Sequence, residues 1–247
     1  MRRQKPKTRL HAVCGMPALT VSWSIEVSTK FPDLAICLGT MQGVKVEEKN
    51  ERISRLKRIV SDEVRARFRI ETLKDHPTVR AYRDFYWKLG IDPTKTRPAG
   101  EALLRRVLHG RDLPTISTAV DAYNLGSLAT IIPMSGFDKT RLAMPLHIRF
   151  ARNGEEFKGI GKNKPVILTD KILVLADEDR VLCIYPYRDS DHTKVTARTR
   201  ELIIVGYGAP GIEEKMLERA VRKTLSNVEM ACGGRVEALE LAHARGG

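Results

Sequence analysis

Apolar positions follow two different periods along the 247-residue chain. Between residues 48 and 70, Ile53, Leu56, Val60, Val64 and Phe68 recur at three- and four-residue steps. That spacing lines one face of an α-helix of about six turns. Its other faces carry Arg52, Arg55, Lys57, Arg58, Arg65, Arg67 and Arg69. Asp75-His76-Pro77 predicts a second helix up to Leu89 with Gly90 as its C-cap, followed by Asp92-Pro93. A third helix is predicted from Pro98 to His109-Gly110, and a fourth from Ser117 or Thr118 to about Ala129. Upstream, residues 19–25 and 34–40 read as strands, paired or neighbouring, with Phe31-Pro32-Asp33 as the turn between them.

Beyond residue 145 the period shortens. Residues 146–151, 156–160, 165–168, 172–175, 181–185 and 201–205 are short β-type runs. They are separated by Asn153-Gly154, Gly161-Lys162, the acidic stretch at 177–179 and the polar segment at 188–199. Ile212, Met216, Leu217, Ala220, Val221, Leu225 and Val228 then place a last helix over 212–230, ended by Gly233-Gly234. The predicted class is α+β, with a helix-rich N-terminal half (48–131), a mostly antiparallel sheet in the C-terminal half (146–208) and a C-terminal helix. One domain is expected over 19–232, between a basic tail at 1–18 and a flexible tail at 233–247. No internal repeat or low-complexity tract interrupts it.

Composition adds a partner class. Hydrophobic residues make up 42% and charged residues 30%, enough apolar side chain for a core, so a wholly disordered chain is excluded. Lys and Arg total 43 against 30 Asp and Glu, a net charge of +13. Such a surplus attracts polyanions, nucleic acid being the commonest, although a basic surface also serves solubility alone. Arg52, Arg55, Arg58, Arg65 and Arg69 are the candidate RNA contacts. Arg2, Arg3, Lys5, Lys7 and Arg9, with no acid among them, read either as a phosphate-touching tail or as a solvated terminus. No run approaches the ~18–20 apolar residues of a membrane span, and no signal-peptide pattern opens the chain, so a cytoplasmic protein that does not contact membrane is expected. Cys14, Cys37, Cys183 and Cys232 are widely separated, without CxxC, and read as reduced thiols rather than a zinc site or disulfides. No metal or cofactor is expected.

Familiar catalytic motifs fail. Gly206-Tyr-Gly208-Ala-Pro-Gly211 matches G-x-G-x-x-G after a strand, but 36 residues remain after Gly211, too few for the rest of a dinucleotide-binding sheet. Pro210 also removes an amide where phosphate would sit. His76 and His109 fall at helix ends and His147 in a strand, positions typical of caps and surface. What stands out is the stretch Tyr187 to Thr196, which concentrates Arg188, Asp189, Ser190, Asp191, His192, Thr193 and Thr196 in one strand connection. An arginine beside carboxylates and hydroxyls can fix a ligand's anion while a carboxylate orients water or an amine. The same groups can equally cap a long turn.

Two ordered blocks carry a family resemblance. Thr118-Ala-Val-Asp121-Ala-Tyr-Asn124-Leu followed by Ile132-Pro-Met-Ser-Gly-Phe137-Asp138 is similar to the corresponding stretch of the B3/B4 domain in the β subunit of phenylalanyl-tRNA synthetase. Ile172-Leu-Val-Leu-Ala-Asp177, then Val181-Leu-Cys-Ile, then Thr196-Ala-Arg-Thr-Arg-Glu-Leu-Ile-Ile-Val205 follows that domain's order over residues 115–208, with looser likeness over 20–114. The 187–196 run resembles the freestanding B3/B4-domain proteins. The resemblance implies an editing module that hydrolyses, without a metal, the ester of a mischarged aminoacyl-tRNA. Its expected partners are the tRNA acceptor end and an aminoacyl-tRNA synthetase, and the expected state is a monomer or weak homo-oligomer.

By the same resemblance Asn124 falls on the pocket asparagine and Asp138 on the aspartate of a Phe-Asp pair. The motif histidine is Ser135 here, and the pocket glutamate is Val205. The resemblance implies removal of tyrosine wrongly esterified to the phenylalanine tRNA, with that glutamate reading the substrate's hydroxyl; these departures weaken tyrosine editing in particular, because an aliphatic side chain cannot read a hydroxyl. The candidate catalytic residues are Asp189, Ser190 and Asn124. The candidate substrate-binding residues are Arg188, Asp121, Asp138, Thr193 and Thr196. A non-catalytic RNA-binding module, or an amino-acid-binding protein using the same pocket, are the alternatives.

Overall fold

The structure, a computed structural model of the chain, describes residues 19–245; the basic tail expected over 1–18 lies outside the described residues. Local capping chemistry sets the helix starts. Ser24 accepts from the Val27 N–H at the head of α1 (Ile25–Lys30), and Asn50 from the Ile53 N–H at the head of α2 (Glu51–Arg67). Each side chain satisfies a first-turn donor that has no partner inside its helix. Pro77 opens α3 (Pro77–Lys88), Pro98 stands at the cap position of α4 (Ala99–Leu108), and Ser117 caps α5 (Thr118–Thr130). The last helix, α6, runs Glu214–Cys232.

Eleven strands complete the described fold: β1 (Val21–Trp23), β2 (Ala35–Gln42), β3 (Met134–Asp138), β4 (Leu146–Phe150), β5 (Glu156–Phe157), β6 (Val166–Ile167), β7 (Leu173–Ala176), β8 (Val181–Ile184), β9 (Arg188–Asp189), β10 (Glu201–Tyr207) and β11 (Arg235–His243). They form a four-stranded antiparallel sheet in the order β11-β2-β10-β3 and a five-stranded sheet in the order β1-β4-β7-β8-β9. β5 and β6 make a separate two-stranded hairpin. The chain is α+β, with mostly antiparallel strands and a C-terminal helix before the last strand.

Three expectations are corrected. The runs at 19–25 and 34–40 are not neighbours: β1 pairs in parallel with β4, while β2 is interior to the other sheet. β2 is buried along seven of its eight residues and needs a partner on each edge; β1 is part-exposed and suits a sheet margin. The flexible tail expected at 233–247 is β11 over most of its length, and it covers what would otherwise be the bare edge of β2. The single C-terminal sheet is two sheets, each of which takes a strand from the first 42 residues. Pairing partners lie far apart in sequence, so local periodicity does not report them.

Helix α6 seats unusually close to the four-stranded sheet and to α5. A Cβ at Gly39 of β2 would stand 2.6 Å from Leu225 Cδ1, and one at Gly206 of β10 2.5 Å from Val221 Cγ2. A Cβ at Gly126 of α5 would collide with Thr224 Oγ1. The G-x-G-x-x-G match is thus a strand-to-helix turn whose first glycine serves packing. Gly206 and its cross-strand neighbours face α6, so by the two-residue alternation of strands Val205, Tyr207 and Ser135 face the five-stranded sheet.

Outside that layer α2 and α4 pack on α5, and buried carboxylates there are paired. Asp121, fully enclosed, accepts from the Ile116 N–H at 3.0 Å and lies 2.5 Å from Lys57 Nζ. Glu101, also fully enclosed, takes Arg83 through two nitrogens at 2.8 and 2.6 Å and Arg105 Nε at 2.6 Å. Burial opposes ionisation of Glu101, yet the two arginines outweigh it and hold the carboxyl below its ordinary value.

Two stability outcomes follow from this packing. Gly126→Ala is expected to lower stability by about 1–3 kcal/mol through overpacking against Thr224, read as a drop in the urea midpoint. Glu101→Gln, which leaves two arginines without their counter-charge, is expected to cost about 3 kcal/mol at pH 7. Because the folded Glu101 carboxyl titrates below the unfolded one, its contribution is present above about pH 4.3 and lost on further acidification. The deficit of the variant therefore narrows towards pH 3, as thermal melts across that range would record.

Candidate functional site

β9 is two residues long, and the alternation of side chains across it splits the candidate residues between two faces. Arg188 turns outward: its Cδ lies 2.7 Å from where a Cβ on Gly159 would be. Ser190, bridged to Gly159, shares that outer side. There Ser190 is buried, its Oγ accepts from the His192 N–H at 3.2 Å, and it borders a cleft of about 270 Å³ with Phe157, Lys158, Arg180, Val181 and His192. Asp189 turns inward, towards the four-stranded sheet. Its carboxylate accepts a 2.5 Å hydrogen bond from Ser135 Oγ of β3.

That contact joins two sheet margins, since β3 ends one sheet and β9 ends the other. The half-buried Asp189 thus sits in the mouth between them, with apolar and aromatic groups behind it. The Cys183 thiol of β8 lies beside the carboxylate, directly across the ladder. The Tyr207 hydroxyl faces Cys183 and Ser135 without completing a hydrogen bond to either, so a buried donor there has spare capacity. Tyr123 of α5, whose ring edge lies 2.6 Å from where a Gly136 Cβ would be, lies within the field of Asp189. Burial pushes the Asp189 carboxyl up to about 6, against the pull of Ser135, Cys183 and Arg188. Burial likewise raises the Cys183 thiol well above its ordinary value, so it is not a thiolate nucleophile at neutral pH.

The other sequence candidates have structural partners of their own. Asp138 accepts from the Thr140 N–H and Oγ1 and from Thr199 Oγ1, while its own N–H donates to the Thr193 carbonyl. The Thr196 N–H donates to Thr199 Oγ1, which completes that turn. The Thr193 hydroxyl is buried and unpaired. Asp121 belongs to the Lys57 pair described above. Asn124 is half-buried on α5 and makes no hydrogen bond to the 187–196 segment among the described residues. The structure therefore brings Asp189 together with Ser135 and Cys183, with Tyr207 beside them, and does not bring it together with Asp121 or Ser190.

Of the candidate RNA contacts on α2, Arg52, Arg55 and Arg58 are exposed. Arg65 pairs with Asp62 and donates to the Val107 carbonyl, and Arg69 donates to carbonyls closing its own helix. The spacing of residues carries no sign of Tyr207 at the Asp189 mouth. A lone hydroxyl, Ser135, in the otherwise non-ionisable start of β3 was the one local signal. Ser135 and Val205, where the resemblance pattern carries histidine and glutamate, are direct cross-strand partners. Among the described residues no three His, Cys, Asp or Glu side chains are grouped to hold a metal ion, and no helix is long and apolar enough to cross a membrane.

Comparison with known proteins matches residues 81–232, more than half of the chain, to the model of the B3/4 domain family. The chain is 26% identical over 179 residues to the phenylalanine--tRNA ligase beta subunit of Neisseria meningitidis serogroup B, covering 63% of this chain and 22% of that protein. With the same-named subunit of Pseudomonas fluorescens it is 31% identical over 97 residues, covering 39% of this chain and 12% of that protein. The chain thus spans less than a quarter of the length of these relatives. Among solved structures, an N-terminal fragment of the phenylalanyl-tRNA synthetase beta-subunit from Pyrococcus horikoshii superposes with a TM-score of 0.49 and 13% identity, over 94% of this chain and 52% of that one.

Asp189 titrates in the folded chain above its unfolded value of about 3.9. Its ionised form therefore weakens the fold as pH rises through the interval from about 4 to 6. Asp189→Asn, which keeps the acceptor for Ser135, is expected to be more stable than the parent at pH 7.5, by on the order of 1 kcal/mol, with the gap closing near pH 4. Melting temperatures of both proteins at the two pH values check this.

Proposed function

Because the chain belongs to the B3/4 domain family, we propose that it binds an aminoacyl-tRNA and hydrolyses the ester between a wrongly attached amino acid and the terminal ribose. The observation that carries the reading is the Asp189 carboxylate, held by Ser135 at a sheet-to-sheet mouth with a pKa raised to about 6. A base poised near the working pH is ionised yet still accepts a proton. Relatives named for ligation of phenylalanine to tRNA support the choice of ester.

Asp189 orients a water whose oxygen attacks the acyl carbon, and the carboxylate takes the proton. The tetrahedral adduct then breaks its bond to the ribose oxygen, which receives that proton and leaves as a hydroxyl. Free amino acid and uncharged tRNA are the products. Ser135 fixes the rotamer of Asp189, and burial between the two sheet margins keeps the carboxylate's basicity up. Arg188 acts at a distance, lowering the pKa of Asp189 from the opposite side of the strand. Arg52, Arg55 and Arg58 supply phosphate contacts that place the acceptor end without reading its sequence.

Deacylation of a panel of aminoacyl-tRNAs tests the reading. At least one ester is expected to turn over well above its uncatalysed rate, with a rate that climbs as pH rises through about 6 and a loss of about 10²–10⁴-fold in Asp189→Asn. Arg188→Ala is expected to move the pH limb upward, because a cation that favours the carboxylate has gone. If no ester is accelerated, hydrolysis is ruled out. RNA binding that persists in that event would favour the module without chemistry, for which Ser135 and Val205 at the pattern's histidine and glutamate positions are the supporting observation.

A further inference from the structure

Helix α4 and the segments flanking it enclose a cleft of about 590 Å³, lined by Arg97, Ala102, Leu103, Arg105, Arg106, His109, Arg111 and Pro114. Four of the eight are arginines, none is acidic and none is lysine. The helix dipole explains part of this, since cations near a helix C-terminus are favoured. It does not explain Arg97, which precedes the positive end of α4.

Two of these arginines are fixed in a particular way. Arg105 spends its Nε on Glu101 at 2.6 Å, and Arg106 its Nε on the Asp112 carbonyl at 2.5 Å. Both leave their paired terminal amino groups without a hydrogen-bond partner among the described residues. A guanidinium held by its inner nitrogen presents its outer fork ready to grip two oxygens of one phosphate, with less rotamer entropy left to lose. Glu101, which holds Arg105, is also paired with Arg83, so two arginines offset its charge, and its carboxylate reaches no part of the cleft surface. Between the arginines the lining is apolar, made by Ala102, Leu103 and Pro114. Apolar surface under planar guanidinium groups suits a flat ring, since bases splayed from a single strand stack on arginine and apolar side chains.

We propose that this cleft binds one nucleotide of single-stranded RNA, with its phosphates on Arg97, Arg105, Arg106 and Arg111 and its base over Ala102, Leu103 and Pro114. The inference rests on the RNA-binding part of the function proposed above and is independent of ester hydrolysis. It adds a second, concave contact to the exposed arginines of α2, whose Arg65 already donates to Val107 of α4.

The test is fluorescence anisotropy with a labelled single-stranded RNA 12-mer and the full chain, at several salt concentrations. Arg97→Glu with Arg111→Glu is expected to weaken binding about tenfold or more and to flatten the salt dependence by about two phosphate contacts. That double variant leaves the Arg106 and Arg105 bonds intact, so its fold is expected to be unchanged by melting temperature. Lys215→Glu with Arg219→Glu on exposed positions of α6 makes the same change in net charge, and is expected to weaken binding less than threefold. An abasic strand of equal length is expected to bind about tenfold more weakly than the RNA. Equal losses in the two double variants would mean net charge alone, and equal affinity for the abasic strand would mean no seated base; either overturns the proposal. Unchanged binding in the α4 variant with loss in Arg52→Glu plus Arg55→Glu would overturn the cleft while leaving the wider RNA-binding reading standing.

Discussion

The close seating of α6 against β2 and β10 is the constraint from which the rest of the arrangement follows. Leu225 and Val221 occupy the space that side chains at Gly39 and Gly206 would fill, and Thr224 does the same at Gly126 of α5. Interiors packed at this density do not slide by small amounts, so helix and sheet are keyed at several points. With α6 and α5 covering one face of the sheet, only its other face is free to meet the second sheet. That fixes which residues of β3 and β10 point there, Ser135, Val205 and Tyr207 among them. The direction in which Ser135, Val205 and Tyr207 face is thus tied to Gly39 and Gly206 on the other face of the sheet and to Gly126 of α5 beside it.

Charge inside the molecule is handled by one rule with one departure. Glu101, Asp121, Asp138 and Asp177 are buried, and each receives two or more hydrogen bonds or a cation at close range. Among them Glu101 is held below its ordinary value by its two arginines, as suits a structural carboxylate. Asp189 accepts one hydrogen bond, from a neutral hydroxyl, and its pKa moves the other way. Perturbed titration at the meeting of two sheet margins is what separates a candidate working group from the structural acids that flank it.

Basic residues divide in a similar manner. Lys57, Arg65, Arg69 and Arg83 turn at least part of their hydrogen-bonding capacity inward, to Asp121, backbone carbonyls and Glu101. Arg52, Arg55 and Arg58 on α2 keep theirs towards solvent, while Arg105 and Arg106 of α4 spend their Nε on Glu101 and the Asp112 carbonyl and leave their terminal amino groups free among the described residues. The net charge of +13 therefore overstates what is free to meet a polyanion. It is also unevenly placed, with the α2 and α4 face carrying groups held ready by their own neighbours.

Much of this was legible in the residue order. The spacing of Ile53, Leu56, Val60 and Val64 gave α2, the run ending at Gly233-Gly234 gave α6, and the apolar stretches after residue 145 gave β4, β7, β8 and β10, because a segment's own pattern records which of its faces is buried. The crowded stretch from Arg188 to Thr196 was likewise visible as a place where polar groups concentrate. The partner that covers each face was not visible. The pairing of β1 with β4, the addition of β11 beside β2, the parting of Asp189 from Arg188 and Ser190, and the closure of Arg97 and Arg111 around α4 all join residues distant in sequence or reverse their direction at a strand. Periodicity carries no information on such joins. They are decided when sheets and helices find the one packing in which α6 can sit against its glycines and every buried edge and charge meets a partner.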